Sequence, residues 1–311
     1  MSSAALQDLN PHQDASQALR QLEAATDRLA LPLLRQLEAY LGLLRQQVPH
    51  QTLQAVFVLV SQDCPERYSR LGSDERQTLQ RRLQTLTAEA GCLLTVEHLV
   101  LLARKLQAEH RRVKQERRRK MLAALERLNG GEQDEPSGDG LILSVQEPPE
   151  EDDILPLTPP RDPQGLERWC LWLRQAMVRH LRTLSHQLSV ELLNHHLIQA
   201  VLPVRLLDAV LAGDVEAMQA PENLLKIAVP MGNEENAPQV VTCVLLLRLQ
   251  DMEFAHRPLR QSSELLQKHQ KDLQNLVTQS RQWRRRLVTE QAMADWNNDL
   301  QQIQPPRPCV P

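Results

Sequence analysis

The sequence predicts a mainly α-helical protein: helical bundle lobes with long helices and one small β-hairpin in the C-terminal half. Three observations lead there. Glycine is scarce, 10 of 311 residues, and aromatic side chains make up only 3%, while Leu, Gln, Arg, Ala and Glu dominate, a composition of long helices rather than sheets. Apolar residues return every three or four positions through most of the chain. The departure from that rhythm lies at about 223–250, where "NLLKIAVPM" and "QVVTCVLLLRLQ" flank the turn-rich "GNEENAP". Two β-favouring runs around a Gly/Asn/Pro loop read as a hairpin, and a lone hairpin must pack on other elements to persist.

The first half reads as successive helices. Ser16 caps one in which Leu19, Leu22 and Ala25 share a face, and Pro32 suits the first turn of the next, "LPLLRQLEAYLGLLRQQV". The following "HQTLQAVFVLVSQ" is apolar enough to be the most buried element. Ser73, with Asp74 and Glu75 in the first turn, starts a helix that Gly91 ends. A long helix then runs from about Thr95 to Leu128, roughly 50 Å at 1.5 Å per residue, and Gly130 and Gly131 stop it.

Residues 130–162 combine Pro, Gly and acid with two short apolar pieces, "LILSV" and "ILPL". Such a composition buries too little surface to offset its ordering entropy, so it predicts a disordered acidic linker whose apolar pieces are docking patches. The expected domains are therefore 1–129, ending in the long helix, and 163–302, followed by a disordered tail at 303–311. Asp162 and Pro163 open the second domain as N-cap and first-turn residue. Leu166, Trp169, Leu173, Met177, Leu181, Leu184, Leu188 and Leu192 then form one apolar stripe on a helix ending near Pro203. Shorter helices follow at "PVRLLDAVLAG" and "DVEAMQA". The last helix spans about Pro258 to Leu300. Its Leu259, Leu266, Leu273 and Leu287 fall at heptad spacing, with Ser280 in the missing slot and Leu276 and Trp283 offset by three, a coiled-coil seam that packs on the 163–202 helix.

Charge is segregated along the chain. Residues 1–130 carry 19 basic and 14 acidic groups, residues 131–160 carry none and 9, and the remainder 17 and 16. The strongest concentration is "RRVKQERRRK", with Arg111, Arg112, Lys114, Arg117, Arg118, Arg119 and Lys120 in ten positions. At 100° per residue these cations surround the helix, and Arg117 and Lys120 interrupt the stripe of Leu99, Leu102 and Leu106 before and Met121, Leu125 and Leu128 after. That predicts a length of helix lying clear of its own core or against an acidic surface. A second cluster, "RQWRRRL", sets Trp283 among Arg284, Arg285 and Arg286 on the last helix.

Chemistry is mostly missing. Neither GxxxxGK[ST] nor GxGxxG occurs, nor a GxSxG elbow or HExxH pair. Glu191 and His195 share a helix face in "ELLNHH", but His195 continues the apolar stripe and sits where an imidazole satisfies helix-end carbonyls, so no metal is expected. Cys170, between Trp169 and Leu171, reads as a core residue whose thiol Arg174 could acidify. The five cysteines are scattered, with no CxxC pair, and the start shows neither basic nor greasy leader, which predicts a reducing, cytoplasmic setting. No stretch is long and apolar enough to span a bilayer as one helix.

The expectation is a non-catalytic assembly or adaptor protein without cofactors. It would work through helix–helix contacts and charged surfaces on a protein partner with an acidic or apolar helical face, with a homodimer through the last helix open to it. Nucleic acid bound by the two Arg clusters is the second reading, since phosphate affinity needs cations and little else. Two further expectations are that the acidic linker masks the basic helix and that the loop at 230–238 is an ordinary hairpin connection, with recognition as the alternative.

Overall fold

A computed structural model describes residues 15–129, 154–202, 218–230 and 239–302. Their elements are α1 (Ala15–Val58), a π-helical turn (Leu59–Asp63), α2 (Pro65–Arg70), α3 (Ser73–Cys92), α4 (Val96–Asn129), α5 (Pro163–Asn194), β1 (Leu224–Pro230), β2 (Gln239–Leu245), α6 (Leu249–Ala255) and α7 (Arg257–Gln302). Among the described residues the protein is thus mainly helical with a single two-stranded antiparallel hairpin. The 131–153 stretch, the expected helix at 203–213 and most of that at 214–220, the loop at 231–238, the Gly130–Gly131 stop and the 303–311 tail lie outside the described residues; at 218–220 no helix is present, and Met218 instead bridges Lys226 of β1.

Several boundaries follow local chemistry. The hydroxyl of Thr95 accepts the His98 amide at 3.2 Å to cap α4, and the Asp162 carboxylate accepts the Gly165 amide at 2.6 Å to cap α5, with Pro163 in the first turn. Gly72 precedes α3, and its amide donates to Glu75 at 2.8 Å, the one half of a capping box that a glycine permits.

Other boundaries differ from the expectation. Pro32 does not begin a helix: α1 runs unbroken for 44 residues through Pro32 and Pro49. An interior proline costs about 3 kcal/mol, and the buried Leu22, Leu33, Tyr40 and Leu44 offset it by packing. The end of α1 is not buried all round either, because Ala55 and Val56 face inward while Phe57 is 68% exposed. α5 stops at Asn194, nine residues before Pro203. His196 takes a left-handed φ of 56°, its amide bonds Leu193 O at 2.8 Å and the Leu197 amide bonds Leu192 O at 2.9 Å. That paired closure is a Schellman motif with histidine where glycine is usual.

Two compact units divide the chain, each drawing residues from both sides of the 130–162 segment. The first takes Met1–Tyr40, Thr158–Cys170 and Arg257–Pro311. Here α1, the opening turns of α5 and α7 bury Ala18, Leu33, Leu166, Trp169, Leu259 and Leu273. The Gln36 amide donates to the Ser262 hydroxyl at 2.9 Å, tying α1 to α7. The predicted seam of α7 is buried at Leu259, Leu273, Leu276 and Ser280, then fades to half-buried at Trp283 and Leu287.

The second unit takes Leu41–Leu157 and Leu171–His256. Its core is the stripe of α5, with Leu181, Leu184, Leu188 and Leu192 all at 1% exposure or less, joined by Leu79, Leu83 and Leu99 from α3 and α4. α3 and α4 meet at a bend of 88°. The hairpin is anchored as a lone hairpin must be. The Leu247 amide donates to Ser185 on α5 at 2.9 Å, and Lys226 pairs with Asp63 of the π-turn. Asn223, buried and in the left-handed region, donates its amide hydrogen to Asp251 and a side-chain hydrogen to Gln51 while accepting the Arg248 amide. Asparagine tolerates that conformation and satisfies three neighbours at once.

Candidate functional site

α4 begins as a core helix and ends as something else. From Leu99 through Ala103 to Gln107 one face is buried. At the edge of the unit, Arg104 Nε donates to the Leu155 carbonyl at 2.7 Å and Gln107 Oε1 accepts the Leu155 amide at 3.1 Å. Leu155 itself is 4% exposed. Of the "ILPL" piece, Leu155 is therefore docked on α4 through both its backbone polar groups, while Ile154 and Leu157 are 62% and 60% exposed. One turn further, His110 meets Trp172 of α5 edge to face, ring centroids 6.1 Å apart, and Arg111 is half-buried.

From 112 to 124 the helix presents every side to solvent. Arg112, Lys114, Arg117, Arg118, Arg119 and Lys120 are all exposed, in keeping with the ring of charge read from the sequence. Apolar side chains stand open among them: Met121, where the sequence has the apolar stripe resume, is 67% exposed, and Val113 and Leu122 are 47% and 51% exposed. The face that holds Leu99 and Ala103 in the core continues outward as Val113, Arg117, Lys120 and Met121, at the same 100° spacing. A surface of cations interleaved with open apolar groups results.

The second cluster is disposed differently. Arg284 donates to Gln164 at 2.8 Å and Arg281 pairs with Glu167 at 3.6 Å, both at the start of α5 within the same unit. Arg286 lies over the Trp283 ring at 5.2 Å and donates to Glu290 at 2.8 Å, and Trp283 is half-buried. Arg285 is exposed. Arg281, Arg284 and Arg286 are exposed as well, but each is paired with groups of its own unit and so braces α7.

The places considered for chemistry are occupied internally. The Glu191 carboxylate holds Arg82 at 2.9 Å, and His195 Nδ1 lies 2.9 Å from the Glu191 carbonyl. No group of three or more potential metal ligands occurs among the described residues. Burial pushes the Cys170 thiol up to about 12, with Glu167 adding to it; the acidification expected from Arg174 is not seen because desolvation dominates. A cavity of about 110 Å³ beside the π-turn is lined by Asp63, Cys64, Arg67, Lys226 and Cys243. Its Asp63 and Lys226 neutralise each other, and burial pushes Cys243 up to about 12, so its thiol stays protonated at neutral pH. Among the described residues no single helix is long and apolar enough to cross a membrane.

Comparison with protein-family models, with curated proteins and with solved structures returned no match for this chain. The functional reading therefore stands on the geometry of these surfaces.

Proposed function

We propose that the protein is an assembly or adaptor factor without catalysis of its own, and that residues 112–124 of α4 are its docking surface for a protein partner with an acidic, partly apolar helical face. One observation supports this above the others: every side chain from 112 to 124 is exposed, and the cations alternate with Val113, Met121 and Leu122. Apolar groups left open on a helix are recovered by another helix, while flanking charge sets orientation and on-rate. A capture with the tagged full-length chain from its native cells tests it. The expected result is one stoichiometric protein, retained after nuclease treatment and lost when Arg117→Glu and Lys120→Glu are combined. Retention that is indifferent to those substitutions overturns it.

The second reading, a nucleic-acid-associated regulator, draws on the same exposed cations. Residues 112–124 contain no aromatic side chain on which a base could stack, so contact would be with phosphate alone. Retention on DNA with a steep log–log salt dependence, together with nuclease-sensitive capture, would favour it over the first.

A further inference from the structure

We infer that the surface fitting the end of α4 is the end of α7 from a second copy of this chain. The inference rests on the reading of α4 as a docking face and adds the identity of the occupant. Past Leu287, α7 is exposed on all sides through Leu300, just as α4 is from 112 to 124. Each exposed length is about 20 Å at 1.5 Å per residue. Large apolar groups stand open on α7 too: Val288 at 63%, Trp296 at 65% and Leu300 at 51%.

The two ends carry the same spacing with opposite charge. On α4, Val113 is followed seven and eight residues later by Lys120 and Met121; on α7, Val288 is followed seven and eight residues later by Asp295 and Trp296. Both sets lie within one face of their helix, joined by Arg117 on α4 and by Asp299 on α7. Residues 112–124 hold six cations and one acid, whereas residues 287–300 hold Glu290, Asp295 and Asp299 and no cation. Two equally long faces with apolar groups in matching places and opposed charges beside them satisfy what a helix–helix contact requires. An open Trp296 is the kind of residue that dominates such contacts once covered. An acidic α7 end is also poorly suited to phosphate, whether in nucleic acid or in an anionic bilayer, so both ends are used together only if they meet each other. A single crossing of this length falls at the small end of specific interfaces, so the association is reversible and salt-sensitive.

The test uses the purified full-length chain after nuclease treatment, with mass measured by light scattering across protein and salt concentration. One variant carries Arg117→Glu and Lys120→Glu, the other Asp295→Lys and Asp299→Lys. All four positions are exposed, and circular dichroism checks that helicity is kept. The unaltered chain is expected to self-associate, less so in high salt. Each variant alone should associate about tenfold or more weakly, because like charges then face each other. An equal mixture of the two should recover assembly, since each altered face meets its altered complement and each native face its native one. A chain that is monomeric throughout overturns the inference, as does a mixture that recovers nothing or an assembly that nuclease dissolves. A monomeric chain that still retains a different protein through Arg117 and Lys120 overturns self-association and leaves the docking role of α4 standing. Self-association that both charge reversals leave untouched overturns the pairing of these two faces.

Discussion

Two arginine clusters of similar composition have different fates in this protein. Seven of ten residues at 111–120 and four of six at 281–286 are cationic. The first ring is exposed from Arg112 to Lys120, while Arg281, Arg284 and Arg286 of the second reach Glu167, Gln164, Glu290 and the Trp283 ring. The difference lies in what shares the neighbourhood. α7 passes the opening turns of α5, which offer an acid and an amide at the right height; the end of α4 has left its unit's core behind. A run of arginines therefore lies open to solvent in one place and braces its own unit in the other, and composition alone does not distinguish them.

The contrast is sharpest within α4 itself, where one face is core at Leu99 and surface at Met121. Leu99→Ala should cost about 2–5 kcal/mol, as a large-to-small change at a fully buried site. Met121→Ala on the same face should stay within about 0.5 kcal/mol. Urea unfolding followed by circular dichroism measures both. Equal losses would mean that the outer part of α4 is packed after all.

The border between these regions is set by Leu155. Arg104→Ala removes a charged donor from its carbonyl, and Gln107→Ala removes the acceptor of its amide. The first should cost about 1–2 kcal/mol, as a part-buried charged hydrogen bond, and the second about 1–3 kcal/mol, because a buried amide is left without its acceptor. Hydrogen exchange at the Leu155 amide should accelerate in both. If exchange is unchanged, the docked segment is held by its side chain alone.

A smaller effect follows from His180, buried on α5 with Nε2 2.9 Å from the Ala90 carbonyl and His98 at 5.9 Å between ring centroids. Burial holds its pKa below the ordinary 6.5, against the pull of the Ala90 carbonyl and with a further push from His98. The unfolded chain therefore binds the proton more readily than the folded one. Stability from this site is fully present above about pH 6.5 and declines as pH falls from there towards the depressed folded value. His180→Gln should flatten the pH dependence of Tm between pH 7.5 and 5. A slope that persists unchanged would assign it to other groups.

What could be read ahead of the structure was what local chemistry decides. Thr95 as the start of α4 and Asp162 with Pro163 as the start of α5 were legible because caps act over three residues. The hairpin was legible because its strands are bounded by turn residues. Pro32 misled, since only packing by residues such as Leu33 and Tyr40 carries a helix through it. The end of α5 was missed because a histidine occupies the left-handed position. For the candidate site, charge on all sides of 111–120 was enough to read exposure. The bracing of 281–286 was hidden because Gln164 and Glu167 are more than a hundred residues away in sequence.

The two clusters can finally be compared by removing one cation from each. Arg286→Gln loses an exposed i,i+4 pair with Glu290 and the contact over Trp283. Half-exposed groups of this kind give only about 0.5 kcal/mol, and less in high salt. Arg117→Gln removes an exposed cation with Lys114 and Lys120 three positions away on either side, so its stability should be unchanged or slightly improved as repulsion falls. The sign therefore separates the roles better than the size: a small loss that salt erases at Arg286, against no loss at Arg117. Thermal unfolding at two ionic strengths reads both, and a loss at Arg117 as large as that at Arg286 would place the outer cluster among the braces.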